Sequence, residues 1–419
     1  MTALGDLLGP PLLCPVKILF AATIAVHYSR LSIMYQFTRL PPLTLYIHFP
    51  WCVRKCPYCD FNSHEVRGEL AEPAYIDALL ADLEQELPRI WGRSVSSIFM
   101  GGGTPSLFSA SSIDRLLSSL RARLTFAPNI EITLEANPGT VEQQRFAEFH
   151  AAGINRLSIG IQSFQDTQLE HLGRIHNGKQ AICAVEAAHK AGFDNFNLDL
   201  MFALPGQSKQ SAKNDLQTAI DLSPSHISYY QLTIEPNTLF HTHTPVLPND
   251  ELAWAMQCEG QAHLDGAGYT QYEISAYAKV ERQCRHNLNY WQFGDYLGIG
   301  AGAHDKITDM AQQTITRCWK VKHPDAYLSN AATEQRIAGS RTLSQDDTTL
   351  EFMLNTLRLT HGFNNELFQQ HTGLPLSSIE AAMQEAESKG WLVRNRGCIQ
   401  PTEEGQRFHN DLVTLFLPA

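Results

Sequence analysis

Three cysteines, Cys52, Cys56 and Cys59, stand close together in WCVRKCPYCDFN (51–62). Their C-x3-C-x2-C spacing lets one short loop wrap three thiolates around a compact metal centre. No fourth cysteine follows in that loop. Three thiolates are one short of a closed tetrahedral zinc site and one short of a fully ligated [4Fe–4S] cube. In a cube the shortfall leaves one iron open, and an open iron is a place for a small chelating ligand to bind. Zinc completed by His48 or His64 is the alternative, although structural zinc sites usually come as two paired knuckles.

The loop must be held by a framework, and the chain supplies one. From Pro41 onward, short β-rich runs at 43–49, 95–101, 130–136, 156–162, 195–202 and 226–233 alternate with helical stretches whose apolar residues recur at three- and four-residue steps. Six β-α units in succession predict parallel strands with right-handed crossovers. A doubly wound sheet satisfies the same rhythm. Polar residues end nearly every strand, however, which favours an α/β fold of the incomplete (β/α)6 barrel kind with its reactive groups on the C-terminal rim.

Each strand end has a chemical reading. Gly102 and Gly103, followed by Thr104, let the backbone approach a ligand and expose N–H and C=O groups to an ammonium or carboxylate. A plain tight turn explains such a run equally well. Glu135 in EANP is placed to accept from two ribose hydroxyls, or else is an acid near a helix N-terminus. Gln162 in IGIQSF, Arg174 in LGRIH and Asp199 in NLDLMF complete a ring of polar groups on successive strand ends.

The cysteine loop after strand one resembles that of the radical S-adenosylmethionine superfamily. The resemblance implies that the open iron is chelated by the amino and carboxylate groups of S-adenosylmethionine. One electron from the cluster then cleaves it to methionine and a 5′-deoxyadenosyl radical. The ordered set YIHFPWCVRKCPYCDFN, GGGTPS, EANPGT, SIGIQSF, LGRIH and FNLDLMFALPGQ narrows this further. It resembles the branch that holds oxygen-independent coproporphyrinogen III oxidase and the radical S-adenosylmethionine haem chaperones. Carried over residue by residue, it implies cluster ligands Cys52, Cys56 and Cys59. It implies cofactor contacts from Tyr46, Tyr58, Gly102, Gly103, Thr104, Glu135, Gln162, Arg174 and Asp199.

Two features separate the members of that branch. The oxidase has a further cysteine two positions after the third ligand, where this chain has Phe61. The chaperones have Phe there and a later HNxxYW motif, present here as His286, Asn287, Tyr290 and Trp291. An imidazole can ligate haem iron, and aromatic rings can line a porphyrin face. A hydrogen-bonded core histidine with packing aromatics is the plainer reading, and Cys284 and His304 are weaker haem candidates. The implied cofactors are thus a [4Fe–4S] cluster, S-adenosylmethionine and haem. The implied partners are haem-accepting proteins and, if S-adenosylmethionine is cleaved, an electron donor; a homodimer is compatible with the sequence.

Composition sets outer bounds. The chain has 419 residues, 43% hydrophobic and 18% charged, with a formal net charge of -11, so it offers no general attraction to nucleic acid. Nine cysteines in a chain too long to need disulfide staples suit a reducing, cytoplasmic setting. The run at 12–26 carries no charge but Lys17 and is shorter than the about 20 residues of a membrane span, though peripheral membrane contact is compatible with it. We therefore expect residues 1–40 to be a disordered or loosely attached extension, or to precede a start at Met34. The expected domains are the partial barrel at 41–245, a barrel-covering segment with the HNxxYW motif at 246–335, and a small winged-helix-like domain at 336–419.

Overall fold

The computed structural model describes residues 35–418. The six expected strands are present: β1 (Leu43–Phe49), β2 (Ser94–Gly102), β3 (Thr125–Ala136), β4 (Arg156–Gln162), β5 (Phe196–Phe202) and β6 (His226–Gln231). They pair in parallel in chain order. That order decides between the two windings. A doubly wound sheet reverses its order at a switch point, whereas sequential strands with right-handed crossovers keep their helices on one face, as in a barrel. All seven residues of β1, LTLYIHF, are buried, which is why the strand reads as a near-continuous apolar run.

Helix starts are fixed locally. Ser109, Ser208 and Asn249 each accept an amide N–H from the first turn of the helix that follows, and Asn177 with Gln180 forms a capping box.

The segment expected to cover the barrel also lengthens the sheet. β7 (Thr270–Glu273) and β8 (Ala276–Ala278) add antiparallel strands beyond β6. On the other side β9 (Asp295–Ile299) pairs in parallel with β1, followed by antiparallel β10 (His304–Asp309), β11 (Thr314–Lys320) and β12 (Ile337–Thr342). A buried ionic network ties this edge to the first long helix, Glu72–Glu86. Arg336 reaches Asp82 at 2.9 Å and Glu86 at 2.8 Å, Lys320 pairs with both acids, and Arg89 joins Asp305 at 2.9 Å.

β12 belongs to the large sheet, and the second core draws most of its residues from Leu343 onward, joined by Phe37, Phe293 and Ile315. Three helices, Gln345–Thr356, Asn365–Thr372 and Glu380–Ser388, stand over a three-stranded antiparallel sheet with a hairpin at Leu392–Pro401, a winged-helix arrangement. Residues 35–40 dock on it: Tyr35 donates to the Leu343 carbonyl at 3.0 Å and Phe37 enters its core. The rest of the expected N-terminal extension, and Met34, lie outside the described residues.

Candidate functional site

The cysteine loop leaves β1 and is fastened at both ends. The Gly103 N–H donates to Phe49 O and the Thr104 N–H to Trp51 O, each at 2.7 Å. His64 N donates to Pro50 O at 2.7 Å and Val66 N to Cys52 O at 3.0 Å. Inside the loop the Lys55 ammonium ties down the carbonyls of Phe61 and Ser63. Gly103 is required by contact, since a Cβ there would lie 2.3 Å from Trp51 O. These bonds correct one expectation. The amide of Gly102 is spent on the Glu135 carboxylate at 3.0 Å, so the N–H groups of Gly102, Gly103 and Thr104 are all engaged internally and not offered to a ligand.

Cys52, Cys56, Cys59, Tyr58, Gly102, Gly103, Thr104, Glu135, Gln162, Arg174 and Asp199 all line one cavity of about 220 Å³. Tyr46 does not. It faces a larger neighbouring cavity, and its hydroxyl bonds His48 Nδ1 at 2.9 Å. Arg174 donates to Asn137 Oδ1 and to the Gly160 carbonyl, each at 2.7 Å, and to Cys56 Sγ at 3.5 Å. Its buried Nε has no partner. Asn137, missed in the sequence although it sits inside EANP, also donates to Thr104 Oγ1 at 2.8 Å and so orients two members of the ring. Gln162 holds a left-handed φ of 69° at the end of β4 and accepts from the Tyr230 hydroxyl at 2.8 Å, a strained backbone of the kind that clusters at ligand sites.

The donor set can be tested against the two metal readings. His48 donates Nε2–H to Asn62 O at 2.8 Å and accepts from Tyr46 at Nδ1. Both ring nitrogens are used, so it does not complete a zinc tetrahedron. Among the described residues no three Cys, His, Asp or Glu side chains converge on a single-ion site. Three thiols around a roomy cavity, with an orphaned guanidinium Nε and the buried carboxyl groups of Glu135 and Asp199 on its walls, fit a bulky thiolate-held cluster and an adjoining polar, charged ligand. Burial and then the charge of Asp199 push the Glu135 carboxyl up to about 8.

The larger cavity, about 730 Å³, opens beside the first and shares Phe61, Gly102, Glu135 and Gln231 with it. Its walls carry His286, Tyr290 and Trp291 from the helix Arg285–Trp291, together with Phe99 of β2 and Gln406–Asp411 of the C-terminal domain. His286 is buried, and its ring lies 5.1 Å from that of Phe99 and 5.2 Å from that of Tyr290. Nδ1 bonds Ser97 Oγ at 3.0 Å, while Nε2 has no partner. Burial, then the nearby Arg156 charge, lowers its pKa to about 3, so the imidazole is neutral with a nitrogen to spare. His409, on the C-terminal wall, was not found in the sequence; its Nδ1 is likewise buried without a partner. Cys284 bonds Glu131, His304 stacks on Trp319, and neither lines the cavity.

Residues 46–219 match the Radical SAM superfamily model and residues 343–408 the HemN C-terminal domain. The heme chaperone HemW of Haemophilus influenzae is 50% identical over 90% of this chain and 99% of its own. That of Escherichia coli is 48% identical with the same coverage. The chain belongs to the HemW haem chaperone family of the radical SAM superfamily. The HemW of Bacillus subtilis is 30% identical over 89% of this chain and 98% of its own. Among solved structures, Escherichia coli coproporphyrinogen III oxidase, a radical SAM enzyme, superposes with a TM-score of 0.76 at 23% identity over 90% of both chains. That match establishes the same mixed α/β fold with a small C-terminal domain. No described helix is long and apolar enough to cross a membrane.

Proposed function

We propose that this HemW-family chain takes up haem in the 730 Å³ cavity and passes it to haem-accepting proteins. In this reading Cys52, Cys56 and Cys59 hold a [4Fe–4S] cluster, and S-adenosylmethionine occupies the adjoining 220 Å³ cavity. Together those two groups supply one-electron cleavage of a carbon–sulfur bond when bound and reduced by a donor. The chain's own residues do the rest. Arg174 offers its orphaned Nε to an anionic group, Glu135 accepts from ribose hydroxyls, and Asp199 adds a second buried carboxylate. His286 presents a neutral imidazole to haem iron, with Tyr290 and Trp291 lining the porphyrin face.

The observation that carries the reading is His286, a cavity-lining imidazole with one nitrogen anchored on Ser97 and the other unpartnered. Phe61 supports it over oxidative decarboxylation. It stands where the oxidase resemblance requires a further cysteine, and it lies on the boundary shared by the two cavities.

Anaerobic purification, reconstitution with iron and sulfide, and haem titration with and without S-adenosylmethionine test the proposal. Stable haem uptake without turnover of coproporphyrinogen III is expected, and turnover to protoporphyrinogen would overturn it. Cys56→Ser should abolish the visible absorption of the cluster; a variant that keeps full cluster content rejects the ligand assignment.

A further inference from the structure

The helix His409–Thr414 of the C-terminal domain sends Leu412 and Val413 into the second core. His409 precedes them by three and four positions, so it shares their inward face. Packing alone would call for an apolar residue there, and the chain has an imidazole. His409 lines the large cavity. Its Nδ1 is buried without a hydrogen-bond partner, and no described residue bonds its Nε2. Asp250, Glu251 and Asp411 line the same cavity, yet none of them pairs with it.

Buried polar groups are nearly always partnered, so an idle imidazole on a cavity wall asks for a ligand. As an imidazolium it would hold an anion. Burial, and then the nearby Arg358 charge, lower its pKa to about 3, however, so the ring is neutral and carries a basic lone pair. That suits a metal. The Arg358 guanidinium in turn lies over the Trp291 ring, 4.3 Å from its centroid, and Trp291 ends the helix that bears His286. Two neutral imidazoles with unpartnered nitrogens thus border one cavity, His286 from the barrel side and His409 from the second core.

We infer that His409 is the second axial ligand of the haem, which is held between His286 on one face and His409 on the other. The inference rests on the haem reading above and adds the residue that completes the iron's coordination. Haem iron has an axial position on each face of the macrocycle, and one histidine fills only one of them. A nitrogen supplied by the C-terminal domain ties the two walls of the cavity together through the iron, so that the bound haem closes its own site.

The test uses the cluster-loaded full chain with ferric haem and reads the spin state of the haem iron by electron paramagnetic resonance, in which the oxidised cluster is silent. Two imidazoles give a low-spin signal. The native chain should show it, and His409→Ala should convert it to the high-spin signal with cluster content unchanged. Added imidazole should restore the low-spin signal in that variant. If His409→Ala loses its cluster, His409→Gln tests the same point, because it keeps a polar side chain of similar length and supplies no low-spin ligand. A high-spin native complex overturns ligation by His409 and leaves haem uptake standing. So does a low-spin signal that survives in the folded variant, or a high-spin signal that imidazole cannot reverse. Failure of the native chain to take up haem overturns the haem reading, and ligation by His409 falls with it.

Discussion

At the residue scale Glu135 is the most exposed to a change of conditions. Burial first, and then the charge of Asp199, push its carboxyl from an ordinary 4.5 up to about 8, against which the Gly102 amide is its one hydrogen-bond donor among the described residues. A carboxyl whose pKa is raised by folding binds a proton as the chain folds. Its contribution to stability is therefore complete below about 4.5 and is lost as the pH rises through about 8. A ligand whose ribose hydroxyls need an acceptor selects the ionised form. Binding of S-adenosylmethionine should then release a proton, with affinity climbing as the pH rises toward about 8 and levelling above it. Isothermal titration in buffers of different ionisation enthalpy reads both effects. Glu135→Gln should bind more weakly with a flat profile. An affinity that falls with pH would place the protonated acid in the complex.

At the element scale the helix Arg285–Trp291 depends on a distant strand. Its N-cap residue, Cys284, supplies no side-chain cap. Glu131 of β3 does so, accepting the amides of Arg285 and His286 and the Cys284 thiol. A carboxylate at the positive end of a helix is stabilising. Glu131→Gln keeps the shape and removes the charge, which should cost about 1–2 kcal/mol. It should also weaken haem uptake by loosening the turn that carries His286, with cluster content unchanged; coincident loss of both would make Glu131 a general core residue. The sequence shows the six strands, the cysteine loop and the HNxxYW motif because each is a local pattern of apolar period, spacing or residue type; that the motif rides on a helix comes from the structure. It does not show Glu131 as a cap, because residue and helix lie 154–155 positions apart. The glycine run misleads for the same reason. GGGT exposes amides on paper, and only the neighbouring strands and loop reveal that Phe49 and Trp51 already take two of them.

At the scale of the whole molecule, the large cavity is walled by parts that belong to two cores. Tyr46 and Phe99 come from the barrel, while Arg358 and Gln406–Asp411 come from the C-terminal domain. The cluster cavity is lined by barrel residues from 52 to 235 alone. The two sites should therefore respond differently to damage in the second core. Phe352 is fully buried at its centre, with ring centroids 5.8 Å from Phe293, 5.1 Å from Phe363 and 5.0 Å from Phe368. Phe293 lies two residues beyond Trp291, so this cluster also backs the end of the HNxxYW segment. Phe352→Ala removes a large side chain that rigid neighbours cannot replace and should cost about 3–5 kcal/mol. Below its lowered melting temperature, the variant should retain native cluster absorption per chain and release haem faster. Parallel loss of cluster and haem would mean that the two cores fold as one cooperative unit, and that the C-terminal domain supports the barrel as well as closing the haem site.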